Sequence, residues 1–455
     1  LANTTASNNT AVGKSALTAN TTGTENVAVG SAAGLANTTG NNNVFVGRDA
    51  GTANTTAGNN TFIGERAGVS NTTGDESVAV GQFAYSANTT GVDNVAIGRS
   101  ALAANTTANN NTAIGRAAML SNTTGANNVA IGLKALEANT TASNNVAVGY
   151  LAADANTTGT ENVAIGKSAL SANTTANSNT AVGFNSLALN TTGAFNVAIG
   201  KDALDSNTTG SYHVAVGTDA LQSNTTGAEN TAVGFNALGA NTTGNFNTAF
   251  GQGALDSNTT GVENVALGWN AGHVQTTASN NTLVGRSAGD SIVDGSNNIM
   301  IGYNTDVSQS GRSELVIATA EVGKGDGTGF IAPPGNGNLF QGNNSTTFAT
   351  TSDRRIKKNI VDNNIGLEKI KQIQIRNFEY RTEDEITELP THTAIKKEGL
   401  QLGVIAQEVE NILPDIVHTE DTGCKTVNPD NMTWYLVNAV KELSTQVEEL
   451  KTKLN

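Results

Sequence analysis

The triplet Asn-Thr-Thr returns at one constant interval, at Asn3, Asn20, Asn37, Asn54, Asn71, Asn88, Asn105 and onward to Asn241 and Asn258. The next unit keeps Thr276 and Thr277 but opens on Gln275. Counted from the Asn, a unit reads N-T-T-G-x-x-N-V-A-V-G-x-x-A-L-x-A. Its eleventh residue is Gly in every case from Gly13 to Gly302, which makes 18 units without an insertion. A fixed period on this scale is the mark of a solenoid, whose units contact only their neighbours. Seventeen residues are too few for a helix-turn-helix unit, and within each unit the pattern has period two.

The fold expected from this pattern is mainly β, a parallel β-roll or solenoid shaft over residues 1–302. Each coil is expected to hold two short strands and two turns, stacked about 4.8 Å above the last, so that 18 coils span roughly 85 Å. In Val-Ala-Val the first and third residues face one way and Ala the other. The tenth position is apolar in all 18 coils, Val or Ile except at Phe250 and Leu267, and is expected to be a continuous core column. The fourteenth is Ala in 16 of the first 17 units, Ser186 being the exception, which implies a tight spot. The eleventh-position Gly fits a corner that needs positive φ or close backbone approach. Asn holds the seventh position in 16 of 18 coils, with Ser77 and His213 as the departures, and is expected to form an amide ladder up the stack. Two Val/Ile and one Leu per coil, at about 1.5–3 kcal/mol each, barely offset the backbone ordering entropy. Association is therefore expected to supply the rest: small Ala faces let chains approach, and a homotrimer would cover the flanks.

The segment Val95-Ala96-Ile97-Gly98-Arg99-Ser100-Ala101 resembles the head repeat of trimeric autotransporter adhesins. The resemblance implies a left-handed parallel β-roll, although that family's usual repeat is shorter than the unit found in this chain. Asn-Thr-Thr is formally a glycosylation sequon, but Asn and Thr also serve turns and stacks, and that plainer reading is preferred. Adjacent Thr residues in a strand would face opposite ways, so they are placed in a turn, and ice binding is the lesser alternative. Acidic residues such as Asp75, Glu76, Glu161 and Asp202 follow no Asp-rich calcium pattern, and no metal or cofactor is expected. Phe195, Tyr212 and Phe246 share the sixth position and are expected at one exposed edge, where a sugar or another partner could meet them.

Charge divides the chain. Residues 352–455 hold 14 Lys/Arg and 18 Asp/Glu, whereas the 351 residues before them hold only 11 and 21. All five prolines lie after residue 332. A net charge of −14 argues against a nucleic-acid binder. Cys424 alone excludes a disulfide framework. No apolar run approaches the roughly 18–20 residues of a membrane span, so no membrane insertion is expected. The chain opens on Leu1 in mid-pattern with no signal peptide, as a fragment of something longer would.

Residues 303–351 read as a neck of short strands and turns. Beyond it, Leu436, Val440, Leu443, Val447, Leu450 and Leu454 follow a 4-3-4-3-4 spacing, the apolar seam of a coiled coil over 436–454 or the inner face of one core helix. Ser352-Asp353-Arg354-Arg355-Ile356-Lys357-Lys358-Asn359-Ile360 and Gly403-Val404-Ile405-Ala406-Gln407-Glu408-Val409-Glu410 closely resemble the endosialidase-type intramolecular chaperone domain, peptidase family S74. The resemblance covers Ser352 to Asn455 and implies an α+β domain that trimerises, guides folding of the β-structured stalk before it, and cuts itself off. It implies Ser352 as nucleophile, Lys357 as base and a cut at the Thr351–Ser352 bond. A serine hydroxyl needs an adjacent base. A lysine serves as one where burial or neighbouring cations disfavour its charged form, and Arg354, Arg355 and Lys358 stand beside Lys357. Lys358 is a second candidate base, Asp353 caps or orients, and helix capping by Ser352-Asp353 is the plain alternative. His392, His418 and Cys424 are too scattered for a triad or a metal site.

The functional expectation is a structural or adhesive trimeric fibre, from a phage tail or a similar appendage, with an unknown cell-surface receptor or glycan as partner. The alternative is a bacterial surface adhesin or extracellular filament. A polysaccharide-degrading enzyme ranks lower, since glycoside hydrolysis needs paired carboxyl groups about a cleft.

Overall fold

A computed structural model describes residues 5–308, 311–323, 325–331, 339–341, 354, 357–388, 399–419 and 423–454. The chain divides into two compact units, Leu1–Thr350 and Thr351–Asn455.

The first unit is a parallel β-solenoid. Strands β1 (Thr10–Val12) to β18 (Ile299–Ile301) recur once per repeat, each paired in parallel with the next at the equivalent residue. Each coil holds one three-residue strand rather than two, because the rest of the coil is turn. The turns are nevertheless laddered: Thr38 N–H donates to Thr55 O of the next coil at 2.8 Å, and Leu102 N–H to Ala118 O at 2.9 Å. The roll also outlasts its exact register. Strands β19 (Leu315–Ile317) and β20 (Gly329–Ile331) add in parallel with shorter steps, and β21 (Leu339–Gln341) then pairs antiparallel with β20. The segment expected as a neck thus begins as roll.

The tenth position is not the core column. Its Val and Ile side chains point outward, half-buried or exposed, as at Val29, Ile63, Ile97 and Ile131. The residue between the two branched ones faces inward and is fully buried, from Ala28 through Ala96 and Ala164 to Ala266. The reason is width: so short a coil closes around a narrow interior already holding two Asn columns, the fourteenth-position Ala and the fifteenth-position Leu. Strand alternation then leaves the bulkier residues outside. Where a larger inward residue occurs, space is made for it. Phe45 occupies an Ala slot while Gly34 and Gly51 stand where Leu usually does, and a Cβ on Gly51 would lie 2.4 Å from the Phe45 ring. Such volume-conserving exchange keeps interior density constant.

Two buried amide ladders run the length of the roll. Asn43 N–H donates to Asn26 Oδ1 at 2.9 Å, and Asn26 Nδ2 donates to Gly40 O at 2.8 Å. The sequon Asn forms the second: Asn37 Nδ2 donates to Asn20 Oδ1 at 2.9 Å and to Gly40 O at 3.0 Å. Buried polar groups this well satisfied specify the stack, and a buried Asn whose amide is so engaged is no glycan acceptor. The eleventh-position Gly is obligatory: Gly166 has φ 137°, and a Cβ there would lie 2.2 Å from Gly183 O in the next coil.

Candidate functional site

The second unit is small and mixed. Helices α1 (Leu367–Ile370), α2 (Ala406–Glu410) and α3 (Pro429–Leu454) accompany two antiparallel ladders, β22 (Arg376–Phe378) with β23 (Gln401–Gly403) and β24 (Val417–Thr419) with β25 (Lys425–Val427). Val409, Leu413, Ile416 and Tyr435 form its buried centre, flanked by Ile370, Ile373 and Val404. The Arg376 guanidinium grips Glu408 through two bonds, at 2.9 and 3.2 Å, a bidentate geometry that ties β22 to α2. Lys425 Nζ reaches Glu410 at 2.7 Å. The Tyr435 hydroxyl donates to Asp415, which disfavours its ionisation and raises its pKa.

Helix α3 is anchored along only part of its length. Tyr435 and Ala439 are buried, Glu442 Oε2 accepts the Leu367 N–H at 3.0 Å, and Asn438 Nδ2 donates to Asn363 O at 2.7 Å. Gly366 lets this contact close, since a Cβ there would lie 2.6 Å from the α3 backbone at Ala439. None of these clasp residues was singled out in the sequence; a Gly just before the short Leu-Glu-Lys-Ile helix was the one available signal. The seam residues Leu436, Val440, Leu443, Val447, Leu450 and Leu454 are all exposed. Among the described residues nothing covers them as the inner face of a core helix would be covered. At the seam's start, Leu436 joins Ile370, Ile373, Ile375, Val404 and Met432 around an apolar groove of about 460 Å³.

Of the residues expected to process the chain, Thr351, Ser352, Asp353 and Arg355 lie outside the described residues. Arg354 and Lys357 are exposed and share one turn, with Lys357 N–H donating to Arg354 O at 3.2 Å. Lys358 and His418 are also exposed, and His392 lies outside the described residues. Among the described residues no group of His, Cys, Asp and Glu is arranged to hold a metal ion, and no helix is long and apolar enough to cross a membrane.

Residues 352–418 match the family model described as chaperone of endosialidase, Peptidase_S74. Two curated relatives are both named Long tail fiber protein Gp37. The protein of Enterobacteria phage Ox2 is 29% identical over 131 residues, 28% of this chain and 46% of the relative. That of Enterobacteria phage M1 is 27% identical over 132 residues, 28% and 47% of the two chains. The chain thus spans about half the length of the curated relatives it matches. No solved structure matches it significantly. With a β-solenoid before it and the family model beginning at Ser352, the C-terminal unit carries a Peptidase_S74 chaperone domain, and the chain is homologous to phage long tail fibre proteins.

Proposed function

We propose that the chain is part of a homotrimeric phage tail fibre, in which the roll is the shaft and residues 352–455 drive trimerisation and folding before being released by self-cleavage. The observation that carries this reading is the start of the family match at Ser352, directly after the proposed scissile bond. Two structural features support assembly. The half-exposed columns at the eighth position, mostly Val or Thr, and the tenth, mostly Val or Ile, leave a parallel sheet face uncovered, and such faces are ordinarily buried. The seam of α3 is likewise bare. Val alternating with Leu also suits a two-stranded coil, so the solution mass decides between trimer and dimer.

The proposed chemistry balances within the chain and one water. Ser352 Oγ attacks the Thr351 carbonyl, and the peptide C–N bond breaks as an ester C–O bond forms. Lys357 Nζ takes the hydroxyl proton and returns it to the departing Ser352 amine. Water then hydrolyses the ester, leaving the Thr351 carboxylate and restoring the hydroxyl. A lysine acts as base where it is desolvated, whereas Lys357 is exposed in the single chain. The reaction therefore belongs to the assembled state, in which partner chains supply the burial.

Intact mass and light scattering test the proposal together. The wild type should yield a trimeric shaft ending at Thr351, and Ser352→Ala a trimer of uncut chains. Normal cleavage in Ser352→Ala sinks the nucleophile assignment; a monomeric or dimeric mass sinks the trimer.

A further inference from the structure

The sixth position of each coil is a sharp corner held at positive φ, and 15 of 18 coils fill it with Asn, Asp, Glu or Ser. Three coils do not. Phe195, Tyr212 and Phe246 sit there at φ 60°, 61° and 58°. Bulky residues are unfavourable in that region, whereas Asn and Asp are enriched in it. Burial does not compensate, because the three side chains are 51%, 60% and 51% exposed. The strain thus gains nothing for the core, and the three rings lie within four consecutive coils rather than scattered along the shaft.

Their arrangement is ordered. Phe195 and Tyr212 stack with centroids 5.2 Å apart and planes 6° from parallel. Glu229, exposed, holds the next corner, and Phe246 the one after it. The corners are pinned by backbone bonds, Tyr212 N–H to Ala194 O at 3.1 Å and Phe246 N–H to Ala228 O at 3.2 Å. The fifth position is small beside Phe195, Tyr212 and Glu229, at Ala194, Ser211 and Ala228, and beside Phe246 it is Asn245, whose Oδ1 accepts the Ala228 N–H at 2.7 Å. One carboxylate is thus flanked along the column by aromatic rings on both sides.

We propose that Phe195, Tyr212, Glu229 and Phe246 form a lateral binding ledge for a neutral, hydroxyl-rich glycan. A pyranose presents a C–H face that suits an exposed ring and a rim of hydroxyl donors that suits a carboxylate; Tyr also adds a hydroxyl of its own. Nucleic-acid bases also stack on such rings, but Glu229 and the net charge of −14 repel a phosphate backbone. The inference rests on the attachment role of the proposed fibre and gives that role a site on the side of the shaft.

The test uses the full chain on an array of neutral hexasaccharides of glucose, galactose, mannose and N-acetylglucosamine, followed by calorimetric titration of the strongest binder. Wild type should bind at least one. Tyr212→Ala with Phe246→Ala should weaken that binding by about tenfold or more, and Glu229→Gln should weaken it less. Phe184→Ala, an exposed ring in another column, should leave it unchanged. Failure of the wild type to bind any of the four, or equal binding by the double variant, overturns the ledge. A lower assembled mass for the double variant also overturns it, assigning the rings to contact between copies. Adsorption to whole host cells separates the two readings. Adsorption without oligosaccharide binding leaves the attachment role standing and removes the ledge, whereas loss of both removes the attachment role.

Discussion

Lowering the pH below 6.5 loads a proton onto His213 in the unfolded chain but not in the folded one. The imidazole replaces an Asn in the buried ladder and copies its bonds. His213 N–H donates to Asn196 Oδ1 at 3.0 Å, Nδ1 accepts the Asn230 N–H at 3.2 Å, and Nε2 meets Gly227 O at 2.7 Å. That pattern requires the neutral tautomer with its proton on Nε2. A second proton on Nδ1 would face the Asn230 N–H, donor against donor. Burial holds the pKa down to about 4 from the ordinary 6.5, against the smaller opposing pull of the bond to Gly227 O. With the folded value depressed, the unfolded state binds more protons between those limits. Stability from this site is therefore complete above pH 6.5, falls as the pH drops toward 4, and is flat below. The loss amounts to about 3 kcal/mol per chain. Because stability in a stacked repeat is local, the assay is amide hydrogen exchange of peptides spanning coils 207–240, corrected for intrinsic rates, in wild type and His213→Asn. The wild-type opening free energy should fall by about 3 kcal/mol more than the variant's between pH 7 and pH 4. Parallel pH profiles would refute the reasoning, since the variant keeps every ladder bond and lacks only the titrating ring.

Three further outcomes are expected. Tyr85→Phe should cost about 1–3 kcal/mol locally, because the Tyr85 hydroxyl donates to Gly91 O at 2.8 Å in place of the amide that Ser77 lacks; pairing Tyr85→Leu with Ser77→Asn restores the usual unit and should recover most of that loss in the same exchange assay. Gln275→Asn should stabilise its coil by about 1 kcal/mol in thermal melts, since it would give the buried Asn258 Oδ1 the donor it now lacks. Leu443→Asp should reduce the assembled mass measured by light scattering without altering the secondary structure, because Leu443 is exposed in the single chain and sits mid-seam; an unchanged mass would remove α3 from the assembly interface.

The period, the eleventh-position Gly, the small fourteenth position and the Asn ladder were all legible, because each is a column that tolerates almost no variation and has one physical explanation. The inward face was not. Val-Ala-Val offers two faces, and size alone selects the branched residues for burial, as it would in a wider sheet sandwich. What decides the matter is the bore of the coil, and the sequence carried a trace of that in its exceptions. Phe45 and Phe62 replace the middle Ala in the coils where Gly51 and Gly68 replace the Leu, and such paired exchange occurs only between neighbours that share one interior. Likewise Ser77 and Tyr85 belong to one coil and make sense only once the hydroxyl is seen to reach Gly91. In the C-terminal unit, the charged run and the seam spacing were readable, but the clasp of Gly366, Asn438 and Glu442 was not, since it joins segments about 75 residues apart.

These exceptions bear on why a shaft of this kind needs a folding domain at one end. Several features that distinguish one coil from the next, at Phe45, Phe62, Tyr85 and His213, are buried inside the roll. They fix how a chain stacks on itself but present nothing to a neighbouring chain. The outward columns are nearly uniform: Val or Thr, then Val or Ile, coil after coil until Phe250 and Leu267. Two shafts displaced by one coil therefore meet almost the same columns, and a slip of one whole repeat costs little along them until the fifteenth of the 18 coils. Register between chains must come from a feature that occurs once per chain. The Peptidase_S74 domain is such a feature, and in the proposed trimer the seam of α3 that follows it would align the chains before the columns close. A shaft of residues 1–351 expressed alone should accordingly aggregate or pair out of register, and soluble, protease-resistant trimers from it would show that the roll aligns itself.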